Sequence, residues 1–113
     1  MPLNEKATLS DCNNSSNCVF LEWEFKNEKL AFSKLIEIAT RLPRTSVLEK
    51  NDRYWHGLCR SFIFRFPDDL EILNVPRKNG IIQVRSASRF GQSDLGVNRN
   101  RLKFLLNELM KVI

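Results

Sequence analysis

No apolar run in the 113-residue chain approaches the ~20 residues that a bilayer-crossing helix needs. The opening Met1-Pro2-Leu3-Asn4-Glu5-Lys6 also lacks the hydrophobic stretch of a signal peptide. These two absences predict a soluble protein, and a cytoplasmic one. Cysteine occurs three times, at Cys12, Cys18 and Cys59. An odd number without a signal peptide argues against a disulfide framework, although a Cys12–Cys18 bridge stays open in an oxidising compartment. Histidine occurs once, at His56, too few for the four ligands of a zinc site. No phosphate loop, dinucleotide fingerprint, RNA-recognition motif, Gly-x-Ser-x-Gly elbow or internal repeat is present. No metal or cofactor is expected.

What is present is ordinary globular composition in a length that holds one core. The net charge of +5 is unevenly placed. Residues 1–52 carry seven basic and eight acidic side chains, whereas residues 53–113 carry eleven and five, giving +6. Such a field favours an anionic partner, or serves only as a solvated face.

Periodicity lays out the elements. Residues 1–17 are polar and turn-rich and read as a flexible arm, and residues 18–113 as the domain. From Cys18 to Phe25, Leu21, Trp23 and Phe25 alternate with Phe20, Glu22 and Glu24, the pattern of a strand with one buried face. Asn27 can cap a helix whose apolar stripe includes Ala31, Leu35, Ile38 and Leu42 and which Pro43 stops. Four strands follow, over 45–49, over 53–59 with an extension toward Phe64, over 69–75, and over 81–86 after the Asn79-Gly80 turn. Residues 88–96 read as an irregular loop. Leu102, Leu105, Leu106, Leu109, Met110 and Ile113 then mark a last helix, with Asn98 as its cap. The economical architecture is α+β: an antiparallel sheet of about five strands in β-α-β-β-β-β-α order, with both helices on one face.

The segment Arg85-Ser86-Ala87-Ser88-Arg89 sits where the last strand leaves the sheet. Period two sends Arg85 and Ala87 to one face, Ser86 and Ser88 to the other. Guanidiniums and hydroxyls beside a helix start suit a carboxylate or phosphate. Equally, Arg85 or Arg89 can pair internally with Asp68, Asp69 or Asp94. Asp68-Asp69 is a paired carboxylate in a turn, without a second acidic cluster to hold a hard cation. His56, in a strand with Tyr54 and Trp55, is a general base only if a carboxylate converges on it. Phe62, Phe64 and Phe66 form either a base-stacking platform or sheet core.

Three stretches resemble the family known as domain of unknown function 1499. They are Cys12 with Ser16-Asn17-Cys18-Val19; Arg60-Ser61 with Phe66-Pro67-Asp68-Asp69-Leu70-Glu71; and Val84 to Arg89 with Gly91, Ser93 to Arg99 and Arg101. Ser16, Phe20-Leu21 and Phe90 depart from the family's usual residues. The resemblance implies one constellation of Arg60, Asp68, Asp69, Arg85, Ser86, Ser88, Arg89, Asp94, Asn98 and Arg99, and implies no activity. The leading expectation is a non-enzymatic binding or accessory module. Its Arg60, Arg85, Ser86, Ser88, Arg89, Asn98 and Arg99 would take an anionic small molecule or an acidic protein surface, with Asp68, Asp69 and Asp94 as site or structural carboxylates. The alternatives are an enzyme using Asp68, Asp69 or Asp94 with His56, and nucleic-acid binding through the basic face.

Overall fold

The computed structural model describes residues 7–63, 65–91 and 93–113. Phe64, to which the second of the four expected strands was extended, lies outside them, as do the first six residues of the expected arm. The elements run β1 (Cys18–Glu24), α1 (Glu28–Thr40), β2 (Thr45–Lys50), β3 (Tyr54–Arg60), β4 (Pro67–Asn74), β5 (Ile81–Ser88) and α2 (Val97–Met110). The five strands form one antiparallel sheet in the order β1-β5-β4-β3-β2. Type and order of every element follow the sequence periodicities, and the domain is α+β.

Chain path explains the arrangement. Hairpins join β2 to β3, β3 to β4 and β4 to β5, so these strands are neighbours in turn. β1 pairs with β5 at the far edge, which leaves α1 to cross the sheet from one edge strand to the other. The Asn27 side chain accepts from Leu30 N at 3.1 Å and caps α1 as expected.

Both helices cover one face. Ala31, Phe32, Leu35 and Ala39 of α1 meet Leu102, Leu105 and Leu109 of α2 over Val19, Trp55, Cys59, Leu70, Ile72, Ile82 and Val84. The opposite, outer face carries a smaller cluster of Leu9, Tyr54, Leu73 and Val75. There Leu9 N donates to Gln83 Oε1 at 2.9 Å, and Gln83 Nε2 donates on to Glu22 at 2.8 Å. Thr8 and Leu9 therefore lie against the outer face. No helix among the described residues is long and apolar enough to cross a membrane.

Cys12 and Cys18 are disulfide-bonded, with Cα atoms 5.6 Å apart, which closes the bridge that the sequence left open. Cys59 is the remaining thiol and behaves as a small apolar residue of the core. One expectation is corrected. Asn98 is not the cap of α2. Gly96 holds that position at φ 83°, and Asn98 is a fully buried residue of the first turn.

Trp55 sets the tightest requirement in the core. Its indole lies across Gly57, where an added Cβ would fall 2.3 Å from the ring. Gly57→Ala should therefore lower unfolding free energy by about 1–3 kcal/mol, measured by urea denaturation; an unchanged midpoint would show that the indole yields freely.

Candidate functional site

Antiparallel pairing brings four connections to one end of the sheet: the Cys12–Cys18 turn, the α1–β2 link at Arg44, the β3–β4 loop of residues 61–66, and the β5–α2 loop of residues 89–96. Backbone strain gathers here too. Arg44, Arg65 and Leu95, at φ 55°, 60° and 55°, are the non-glycine residues with positive φ among those described, and each sits in one of these connections. Left-handed backbone in such residues costs about 1 kcal/mol or more apiece and tends to mark functional loops.

Beneath these loops lies a buried polar network. The period-two alternation of β5 turns Ser86 and Ser88 toward the helices and Arg85 and Arg89 to the outer face. Asn98 Oδ1 accepts from Ser86 Oγ at 2.7 Å and from Arg101 Nη1 at 2.8 Å. Its Nδ2 contacts Asp94 Oδ2 at 2.6 Å, Ser88 Oγ at 3.0 Å and the Asn17 carbonyl at 3.1 Å. Arg101 also donates to Ser86 Oγ at 3.0 Å and, through Nη2, to Asp68 Oδ2 at 2.9 Å. Asp68 and Arg101 are both well buried, so each supplies the counter-charge that the other's burial requires.

Asp94 performs the capping that the sequence assigned to Asn98. Its Oδ1 accepts from Gly96 N at 2.8 Å and its Oδ2 from Asn98 N at 3.1 Å. Burial alone would raise its pKa. Those amides and the Asn98 side chain outweigh burial and hold it below the ordinary carboxylate value. The disulfide-closed turn plugs into the same network. Asn17 O accepts from Ser88 N at 2.9 Å, Asn17 Nδ2 donates to Gly91 O at 2.8 Å, and Ser16 O accepts from Asp94 N at 3.0 Å.

Above the network the two longer loops enclose a cleft of about 310 Å3. Phe66, Phe90, Leu95 and Val97 form its apolar sides, and Ser61, Asp68, Ser88, Ser93 and Asp94 contribute polar atoms. The aromatic and aliphatic groups remain largely open to solvent, Leu95 at 91% and Phe90 at 68%. A mostly apolar concavity with a few placed polar groups is the usual form of a ligand site.

The outer face holds a second set. Arg89 makes a bidentate pair with Asp69, Nε to Oδ2 at 2.8 Å and Nη2 to Oδ1 at 2.9 Å. His56 Nε2 meets the same Oδ1 at 2.7 Å. Burial pushes Asp69 upward, but the hydrogen bonds of Arg89 and His56 prevail and its pKa is lowered. Tyr54 bonds Glu71; burial first, then that carboxylate, raises the phenol's pKa. Arg85 reaches Glu71 only at 3.5 Å, and its buried Nε has no partner among the described residues.

The constellation expected from the sequence is thus divided by the sheet. Ser86, Ser88, Asn98, Asp68 and Asp94 meet on the helix side, and Arg85, Arg89 and Asp69 on the other. Arg60 and Arg99 are exposed and have no ion-pair partner among the described residues. Arg101 was not among the expected site residues although it is central; its spacing of three from Asn98 was the available signal. The cleft residues Phe90 and Leu95 carried no periodic pattern and were missed.

The fold and its gathered loops define a small α+β domain, one sheet half-covered by two helices, with its cleft at the loop end. The chain belongs to the family described as protein of unknown function (DUF1499), whose model matches residues 8–109. No match is found among the curated proteins.

Removing Arg101 leaves Asp68 buried and unpaired. Arg101→Met should destabilise by about 3–5 kcal/mol, and the Arg101→Met/Asp68→Leu pair by less than the single change; additivity in that cycle would deny the coupling. Acid titration gives a further check. A carboxylate whose folded pKa is depressed adds stability above its unfolded value of about 3.9, lost as pH falls through the folded value. The stability gap between wild type and Asp94→Asn should therefore be widest near neutral pH and shrink below about pH 4, measured by urea midpoints; a gap independent of pH would remove Asp94 as an ionised cap.

Proposed function

We propose that this protein is a non-enzymatic binding module whose contact surface is the loop-end cleft. It takes an apolar group of a ligand or partner between Phe66, Phe90 and Leu95, with Ser61, Ser88 and Ser93 available to its polar end. The observation that carries this reading is an open apolar cleft set on a polar network whose own bonds are largely satisfied. In this view Ser86, Asn98, Arg101, Asp68 and Asp94 hold the cleft in shape. Arg85 and Arg89, with carboxylate partners, brace the outer face in preference to binding an anion. The Cys12–Cys18 bridge supports an oxidising compartment as the place of action, in preference to the cytoplasm.

One contact favours a second, catalytic reading. His56 Nε2 lies 2.7 Å from Asp69, within the reach that proton transfer demands. Turnover of a model ester or phosphoester that His56→Gln abolishes would move the function to the outer face.

Titration with 1-anilinonaphthalene-8-sulfonate tests the cleft. Saturable fluorescence enhancement is expected with the wild type, weakened about tenfold in Phe66→Ala/Phe90→Ala and unchanged in Arg85→Ala or Arg89→Ala. Equal loss in the arginine variants would return the site to the guanidiniums. Leu95→Gly should separate function from stability. Relief of the positive φ gains about 1 kcal/mol, while the lost side chain weakens probe binding.

A further inference from the structure

Beyond the cleft itself, this end of the sheet carries further exposed apolar groups. Phe62 and Ile63, at the tip of the β3–β4 turn, are 74% and 75% exposed. The base of the turn is closed by Ser61 N to Phe66 O at 3.1 Å and Phe66 N to Ser61 Oγ at 2.9 Å. Arginines are interleaved with these groups: Arg60 and Arg65 beside Phe62, Ile63 and Phe66, and Arg89 beside Phe90. The Arg44 guanidinium stands 5.3 Å from the centroid of the Phe62 ring. Arg44, Arg60, Arg65 and Arg99 stand in or beside these connections without an ion-pair partner among the described residues, whereas the nearby acids are engaged, Asp68 by Arg101 and Asp69 by Arg89 and His56. Asp94 turns both its oxygens to Gly96 and Asn98.

We propose that the loop end docks on an anionic lipid bilayer. Phe62, Ile63, Phe90 and Leu95 enter the boundary between headgroups and acyl chains, and Arg44, Arg60, Arg65 and Arg99 meet the lipid phosphates. The proposal rests on the cleft's end being the contact surface and names its partner. Large exposed apolar groups on separate loop tips mark an interaction surface. Their alternation with long cationic side chains suits a medium that is apolar at one depth and anionic a few ångströms above it. Each surface cation near an anionic leaflet strengthens binding about fivefold, and salt weakens that share. The net positive charge makes an anionic surface the complement.

The test is co-sedimentation of the full chain with vesicles of phosphatidylcholine alone and of phosphatidylcholine with about one third phosphatidylglycerol. Binding to the anionic vesicles is expected, with little to the neutral ones and a decline as salt rises. Phe62→Ser/Ile63→Ser, altering residues outside the core, should reduce partitioning at least about tenfold. Arg65→Glu should reduce it by more than one cation's share, because it also reverses the charge. Met110→Ser/Val112→Ser, at the opposite end of α2, should bind as wild type does. No sedimentation with either vesicle would overturn the proposal; retained naphthalenesulfonate binding would then leave the cleft reading standing, and its loss from the wild type would remove both. Sedimentation unaffected by Phe62→Ser/Ile63→Ser would also overturn it. So would a concentration-dependent dimer that these substitutions abolish, because the surface would then belong to a second copy of the chain.

Discussion

Asn98 fixes the relation between the sheet, the second helix and the disulfide-closed turn. Its amide is a donor and an acceptor in a volume without solvent access, reached by groups from β5, α2, the loop before α2 and the segment before β1. An apolar residue of similar size would remove these bonds at a net cost of about 0.5–1.5 kcal/mol each, although Ser86 would keep Arg101 and the Asn17 carbonyl would keep Ser88 N. A network so connected is worth more as a geometric constraint than as net energy. It sets where α2 begins, and so where the cleft lies.

The sheet keeps two kinds of polar chemistry apart. On the helix side Asp68 and Arg101 are buried and matched to each other, and Asp94 is held by amides. On the outer side Asp69 is shared by Arg89 and His56, and the groups are half-buried or exposed. One short run, from Arg85 to Arg89, supplies both sides because its side chains alternate. A single-residue slip of β5 would exchange serines for arginines in the core. The register with β1 and β4 is therefore a condition for both arrangements.

Much of the fold was legible in the sequence, and for identifiable reasons. Trp23 and Leu21 alternate against glutamates, and Leu102 to Leu109 fall on one stripe; such patterns survive any tertiary context. The β5 alternation was also legible, and with it the parting of Arg85 from Ser86. The site was less so. Asn98 reads as a cap because asparagine commonly caps; only the nearby Asp94, two residues ahead of Gly96, shows that the role was already filled. Arg101 on an amphipathic helix reads as solvated until Asp68, distant in sequence, is placed opposite it. The left-handed backbone of Leu95 leaves no mark at all, since leucine is a poor choice for it.

The pairing of Asp68 with Arg101 also bears on the order in which the molecule is made. Asp68 is synthesised well before its counter-charge, which arrives only with the second turn of α2. The hairpins of β2 to β4 can form as they emerge, but the end of β4 has to keep its carboxylate hydrated until the second turn of α2 has been made. Closure of that end, and with it the cleft, then waits for α2. A chain stalled before α2 would carry the sheet without the closed cleft.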